Sequence, residues 1–216
     1  SFATPQGTRT LERLTDYVAL TRQEHVALAG REVVFVGYGT VAPEYGWDDY
    51  KGLDVKDKVV VMLVNDPQVP SAGDPSKLDD TLFRGRAMTY YGRWTYKYEI
   101  GFEKGAAAVL LVHETGPAGY PWEVVTGSWG REGFDLAGPL APPHAPVEGW
   151  ITRAVAEELF RAAGLEFEAE KQRALTREFA PRVLAGVQAE LDCRAKTRLL
   201  ESSNVAALWP GRGANK

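Results

Sequence analysis

Catalysis in this chain would have to be built from three histidines, one cysteine and a few paired carboxylates. His25, His113 and His144 stand in no H-x-D, H-x-H or H-E-x-x-H pattern, the spacings that bring ligands together on a metal. Cys193 is alone, which excludes an internal disulfide and a thiolate cluster. "TGSWG" (126–130) has Thr where a nucleophile elbow needs Gly, and it lacks the strand-to-helix setting. "GYG" (37–39) and "PGRG" (210–213) have neither the Lys-Ser/Thr of a phosphate loop nor a following helix. Asp48-Asp49 and Asp79-Asp80 are acidic pairs without the spacing by which a loop surrounds calcium with about six oxygens, so they read as solvated turns. His113-Glu114 closes an apolar run. It is either a ligand site at a strand's carboxyl end or, as the expected reading, a histidine bonded to backbone.

Recognition chemistry is better represented. In "RAMTYYGRWTYKYEIGFEKGAAAVLLVHE" (86–114), four of the nine tyrosines fall between Tyr90 and Tyr98, with Trp94 among them and Arg86, Arg93 and Lys97 interleaved. Tyrosine beside arginine is the usual composition of a binding surface. Aromatic side chains are equally at home in a core, so the residue types leave both readings open.

These residues must be held by neighbouring elements. Glu32–Gly39 is β-branched and aromatic, ends on glycine, and predicts a strand. Lys58–Val64 is apolar on both faces, as in a strand covered on both sides, and stops at Asn65-Asp66-Pro67. Residues 94–113 read as helix, glycine, strand. Tyr98, Gly101 and Gly105 recur at helical spacing, Gly105 suits the helix end, and a buried strand follows over Ala107–Val112. Thr152 is a candidate N-cap for a helix with Val155, Leu159 and Ala163 on one stripe, ended by Gly164. Ala185–Cys193 alternates like a half-buried strand. Residues 10–26 fit a helix or a strand about equally. Residues 42–57 and 68–82 read as loops, and 116–146 as a long Gly- and Pro-rich excursion.

The bulk numbers suit one domain with extensions: 216 residues, 44% hydrophobic and 25% charged. A net charge of −4 argues against a nucleic-acid partner. No run reaches the ~20 apolar residues of a membrane helix, and the start does not read as a signal peptide. The six tryptophans are scattered from Trp47 to Trp209, which gives little support to a carbohydrate-binding platform.

"EVVFVGYGTVAPEYGWDDYKGLDVKDKVVVMLVNDP", the "K-x-x-x-G-x-x-x-GA" helix at Lys97, Gly101 and Gly105-Ala106, "VLLVHE" and "HAPVEGWITRAVAEELFRAAG" resemble the protease-associated domain of bacterial secreted zinc aminopeptidases, relatives of glutamate carboxypeptidase and the transferrin receptor. The resemblance covers residues 31 to about 212. It implies a β-rich α/β fold with a central sheet or flattened barrel and flanking helices. It also implies an N-terminal flank (1–30), a protease-associated domain (31–187) and return strands (188–216) whose "NVAALW" leads into a catalytic domain beyond Lys216.

The function implied is a non-catalytic lid of a zinc exopeptidase, with no zinc in this chain and two zinc ions in the parent. Its partners would be the catalytic domain and a peptide or protein substrate, without nucleic acid or membrane, and its location extracellular or periplasmic. The residues expected to face substrate are Arg86, Tyr90, Tyr91, Arg93, Trp94 and Tyr96. The family's basic residue for acidic substrates falls at Trp94, next to Arg93 rather than on an arginine. The alternative reading is an independent protein- or peptide-binding module.

Overall fold

The computed structural model describes residues 1–209 and Gly211. It contains strands β1 (Phe2–Thr4), β2 (Gly7–Arg9), β3 (Tyr17–Leu20), β4 (His25–Phe35), β5 (Val41–Ala42), β6 (Trp47–Asp48), β7 (Val59–Leu63), β8 (Pro70–Ser71), β9 (Asp74–Leu78), β10 (Ala108–His113), β11 (Val147–Thr152) and β12 (Arg182–Arg194). The helices are α1 (Trp94–Glu103), α2 (Thr115–Ala118), α3 (Trp122–Trp129), α4 (Arg153–Ala162) and α5 (Phe167–Arg173). Eight strands form one sheet in the order β2-β1-β12-β4-β7-β10-β11-β3. The sheet curls into a half-barrel with flanking helices, a mixed α/β architecture. The centre, β4-β7-β10-β11, is parallel, and both flanks are antiparallel. Residues 1–30 contribute β1, β2, β3 and the start of β4 to this same sheet.

β7 is apolar at every position, and β10 is apolar up to its closing His113, because both faces of the sheet are covered there. Val59, Val61 and Leu63 of β7 join a core with Val155, Leu159 and Phe160 of α4 and Phe167 of α5. Val60 and Met62, pointing the other way, join Tyr96, Tyr98 and Ile100 of α1 and Val125 of α3. The two-residue period of a strand thus divides one sequence run between two cores. A third, small cluster packs Phe83 against Ala42 and Trp47.

Gly101 explains how α1 reaches the sheet. A Cβ there would sit 2.3 Å from Val109 Cγ2, so only glycine permits this approach. Gly105, with φ +74°, turns the chain from α1 toward β10. Thr152 caps α4 by accepting the Val155 N–H, and Gly164 follows with φ +74°.

Of the two readings open for residues 10–26, the structure takes the strand: Leu14 has φ +71°, which a right-handed helix cannot contain, and Tyr17–Leu20 pairs with β11 as an edge strand. Other expectations are corrected. The loops expected at 42–57 and 68–82 contain two small antiparallel pairs, β5–β6 and β8–β9. "NVAALW" (204–209) forms no strand. No strand of the sheet pairs with it, and Val205, Leu208 and Trp209 are almost fully exposed. Of "PGRG", Pro210, Arg212 and Gly213 lie outside the described residues.

Candidate recognition face and buried polar cluster

The carboxyl ends of the parallel strands are where α/β folds usually place ligands. Here they deliver Tyr38 and Thr40 after β4, Asp66 after β7, His113-Glu114 at the end of β10 and Thr152 at the end of β11. The α1 helix begins over the same edge. The turn Tyr90–Gly92 leads into it and sits directly on Asn65-Asp66, since a Cβ on Gly92 would lie 3.0 Å from both Asn65 Oδ1 and the Asp66 nitrogen. Asp66 fixes this turn by accepting both the N–H and the hydroxyl of Thr89, at 2.8 and 2.6 Å.

The six expected residues divide into an exposed group and an anchored group. Tyr90 and Trp94 are exposed, and so are Arg86 and Arg93, whose guanidiniums have no ion-pair or hydrogen-bond partner among the described residues. Tyr96 is buried, and its hydroxyl accepts the Val41 N–H at 3.0 Å. Tyr91 is half-buried and donates to Glu44 at 2.7 Å. Burial, with that bond, pushes the Tyr91 phenol up to about 12. The hydrogen bond to Glu99 is the main reason the Tyr90 phenol is raised.

Edge-to-face contacts knit the rings. Tyr96 touches Tyr90 and Tyr91 with centroids 5.8 and 5.1 Å apart. Trp94 meets Tyr98 and Trp129 at 6.2 and 6.0 Å. The stretch is therefore both core and surface, with buried tyrosines holding exposed aromatic and basic side chains in place.

Beneath this face lies a cluster that the sequence did not reveal. Lys97 is fully buried. Its ammonium donates to the Tyr38 carbonyl and lies 5.8 and 5.9 Å from the ring centres of Tyr38 and Tyr96. Burial lowers the Lys97 pKa, while the charges of Asp49 and Asp66 oppose that shift. Asp49 is also buried, against the expectation of a solvated turn. It accepts the Thr40 N–H at 2.9 Å and the Trp47 indole N–H at 2.7 Å. Burial raises its pKa, and those two bonds and Lys97 act against the rise. The physical reason for the correction is that the β5–β6 turn folds inward over the Trp47 and Phe83 cluster, carrying Asp49 with it. Asp48, its neighbour, stays exposed and caps the next turn through the Tyr50 N–H. One signal was available: Lys97 precedes Gly101 by one helical turn, so it shares the face that approaches the sheet most closely.

The histidines do not converge. His113 is buried with Nε2 3.0 Å from the Tyr120 carbonyl, so that nitrogen carries the proton, as the backbone-bonded reading expects; burial lowers its pKa. His25 lies beside Asp192. His144 Nδ1 contacts Glu148 at 3.0 Å, and its Nε2 lies 2.9 Å from Asp135 without the alignment of a hydrogen bond. Among the described residues, no group of three or more His, Cys, Asp or Glu is placed to hold a metal ion. The zinc of the resembled enzymes has no fitting donor set among them. Glu114 instead accepts from Arg153 and Lys171 and ties β10 to α4 and α5.

No family model, curated protein or solved structure matches this chain. Among the described residues, no helix is long and apolar enough to cross a membrane.

Proposed function

We propose that this chain is a non-catalytic recognition module of the protease-associated type, which engages a peptide or protein through the head of α1. The observation that carries this reading is the pairing of exposure with anchorage. Trp94 and Tyr90 keep 45% and 52% of their surface open, beside the unpaired Arg86 and Arg93, while Tyr96 and Lys97 of the same segment are locked beneath. Rigid aromatic side chains next to arginine concentrate binding energy. Ordering them in advance lowers the entropy that binding costs.

The parent enzyme is proposed from the sequence resemblance: a zinc exopeptidase outside the cytoplasm, with this module over its cleft. An independent peptide-binding module would use the same face and differ only in its attachment. The test is titration of the chain with a peptide library, repeated on the double variant Arg93→Ala/Trp94→Ala. Binding that disappears in the variant while its amide spectrum stays that of the folded chain supports the reading. Undiminished binding overturns it. So does zinc-dependent hydrolysis of aminoacyl substrates by the chain itself.

A further inference from the structure

Between α3 and β11 the chain runs through residues 131–143, which are exposed wherever their burial is described. Phe134 and Leu136 keep 81% and 64% of their surface open. Among the described residues, Asp135 supplies the one side-chain tie from this segment to the body of the fold. The other tie, Glu132 with Arg198 at 2.6 Å, leads only to the exposed C-terminal stretch.

Asp135 reaches a compact group of charges. Its carboxylate accepts the Arg22 Nε–H at 3.0 Å and lies 2.9 Å from His144 Nε2. Glu148, the second residue of β11, is buried; one of its oxygens accepts from Arg22 and the other stands 3.0 Å from His144 Nδ1. Tyr98 of α1 adjoins the group and stays neutral. Burial and the Glu148 charge raise its pKa, and its hydroxyl donates to the Gly149 carbonyl at 3.0 Å. Burial works to raise the Asp135 carboxyl, but the bonds from Arg22 and the Leu136 N–H and the charges of His144 and Arg22 outweigh it, so Asp135 lies below the usual carboxylate value.

His144 thus has a carboxylate at each ring nitrogen. A neutral imidazole has one N–H and one lone pair, so it can serve only one of them. With the proton on Nδ1 for Glu148, the Nε2 lone pair turns toward an Asp135 oxygen and repels it. The imidazolium has an N–H for each carboxylate, and two cations then balance two anions. Glu148 is fixed in the sheet and cannot withdraw. The partner that moves when the proton leaves is Asp135, and its segment moves with it.

We propose that His144 is a proton-operated latch, which ties residues 131–143 to β11 while it is charged and releases them when it is neutral. The latch is independent of what the α1 face binds.

The test is backbone ¹⁵N relaxation of residues 133–137 as pH is raised, followed together with the ring resonances of His144. Order parameters should fall from about 0.85, typical of rigid backbone, to below about 0.6, with the midpoint at which the His144 ring titrates. His144→Gln, which carries no charge, should leave the segment loose at every pH. Asp135→Asn removes the carboxylate that the lone pair repels, so the segment's order should no longer follow His144. Unchanged order across the His144 titration overturns the proposal. So does a pH dependence that persists in His144→Gln, which keeps His25 and His113, or in Asp135→Asn.

Discussion

Lys97→Met tests whether the buried cluster holds the α1 segment in place. Lys97 has no solvent exposure, donates to the Tyr38 carbonyl and faces Asp49 and Asp66. Removing one member of a buried ionic arrangement costs about 3–5 kcal/mol, because the partners stay buried without it. Methionine has nearly the same length and adds apolar burial beside Tyr38 and Tyr96, which offsets about 1–2 kcal/mol. The net loss of roughly 1–4 kcal/mol corresponds to a melting temperature lower by roughly 2–16 °C for a chain of this size.

The same variant should show a pH signature. The folded pKa of Lys97 is depressed, so between it and the ordinary ~10.4 the unfolded chain holds a proton that the folded chain has shed. Wild-type stability therefore gains from this group as pH rises through that window and loses it as pH falls through the folded value. Asp49, raised by burial, acts in the opposite sense: its contribution is full below the unfolded carboxylate value and is lost as pH rises through its folded value. Without the Lys97 charge that Asp49 loss becomes larger, so both effects widen the gap between wild type and variant from neutral to alkaline pH. Urea unfolding at several pH values reads the gap. A variant as stable as wild type at neutral pH, or a gap that narrows toward pH 10, would refute the reasoning.

Gly101→Ala should destabilise by about 1–3 kcal/mol despite alanine's better helix propensity, because its Cβ would meet Val109 Cγ2 at 2.3 Å. Gly127→Ala in α3, with no heavy atom within 4 Å of the new Cβ, should instead stabilise by ~0.5–1 kcal/mol; urea midpoints separate the two. Tyr96→Phe leaves the Val41 N–H without its acceptor and should cost about 1–3 kcal/mol, with faster hydrogen exchange at the Val41 amide as the specific readout.

β7 and β10 were legible because β7 is apolar throughout, β10 is apolar up to its closing His113, and both are covered on two sides. The Thr152 cap and the glycines of α1 were readable for local reasons, since each solves a backbone problem within a few residues. Other elements were hidden by their own chemistry. β11 carries Glu148 in its second position, a charge that masks the apolar run; the side chain is buried because Arg22 and His144 meet it from elsewhere in the chain. α5 is charged or polar at nearly every position, with Phe167 as its main anchor in the core. The burial of Lys97 and Asp49 depends on how a turn after β4 folds over a helix some fifty residues later, and no periodicity reports that. For the six face residues, the sequence did not report the division between the five exposed or half-buried aromatic and basic groups and the buried Tyr96.

The half-barrel does not close, so its two outermost strands present unpaired backbone to solvent. One is β2, three residues long and ending on Arg9, and the other is β3, four residues long. Edges this short offer another chain few ladder bonds, which blunts the commonest route by which open sheets stack into aggregates. The apolar side chains of 199–209 have no such protection: Leu199, Val205, Leu208 and Trp209 all stand in solvent. Colloidal behaviour at high concentration should therefore follow this short C-terminal stretch, and trimming it should improve solubility without touching the folded sheet.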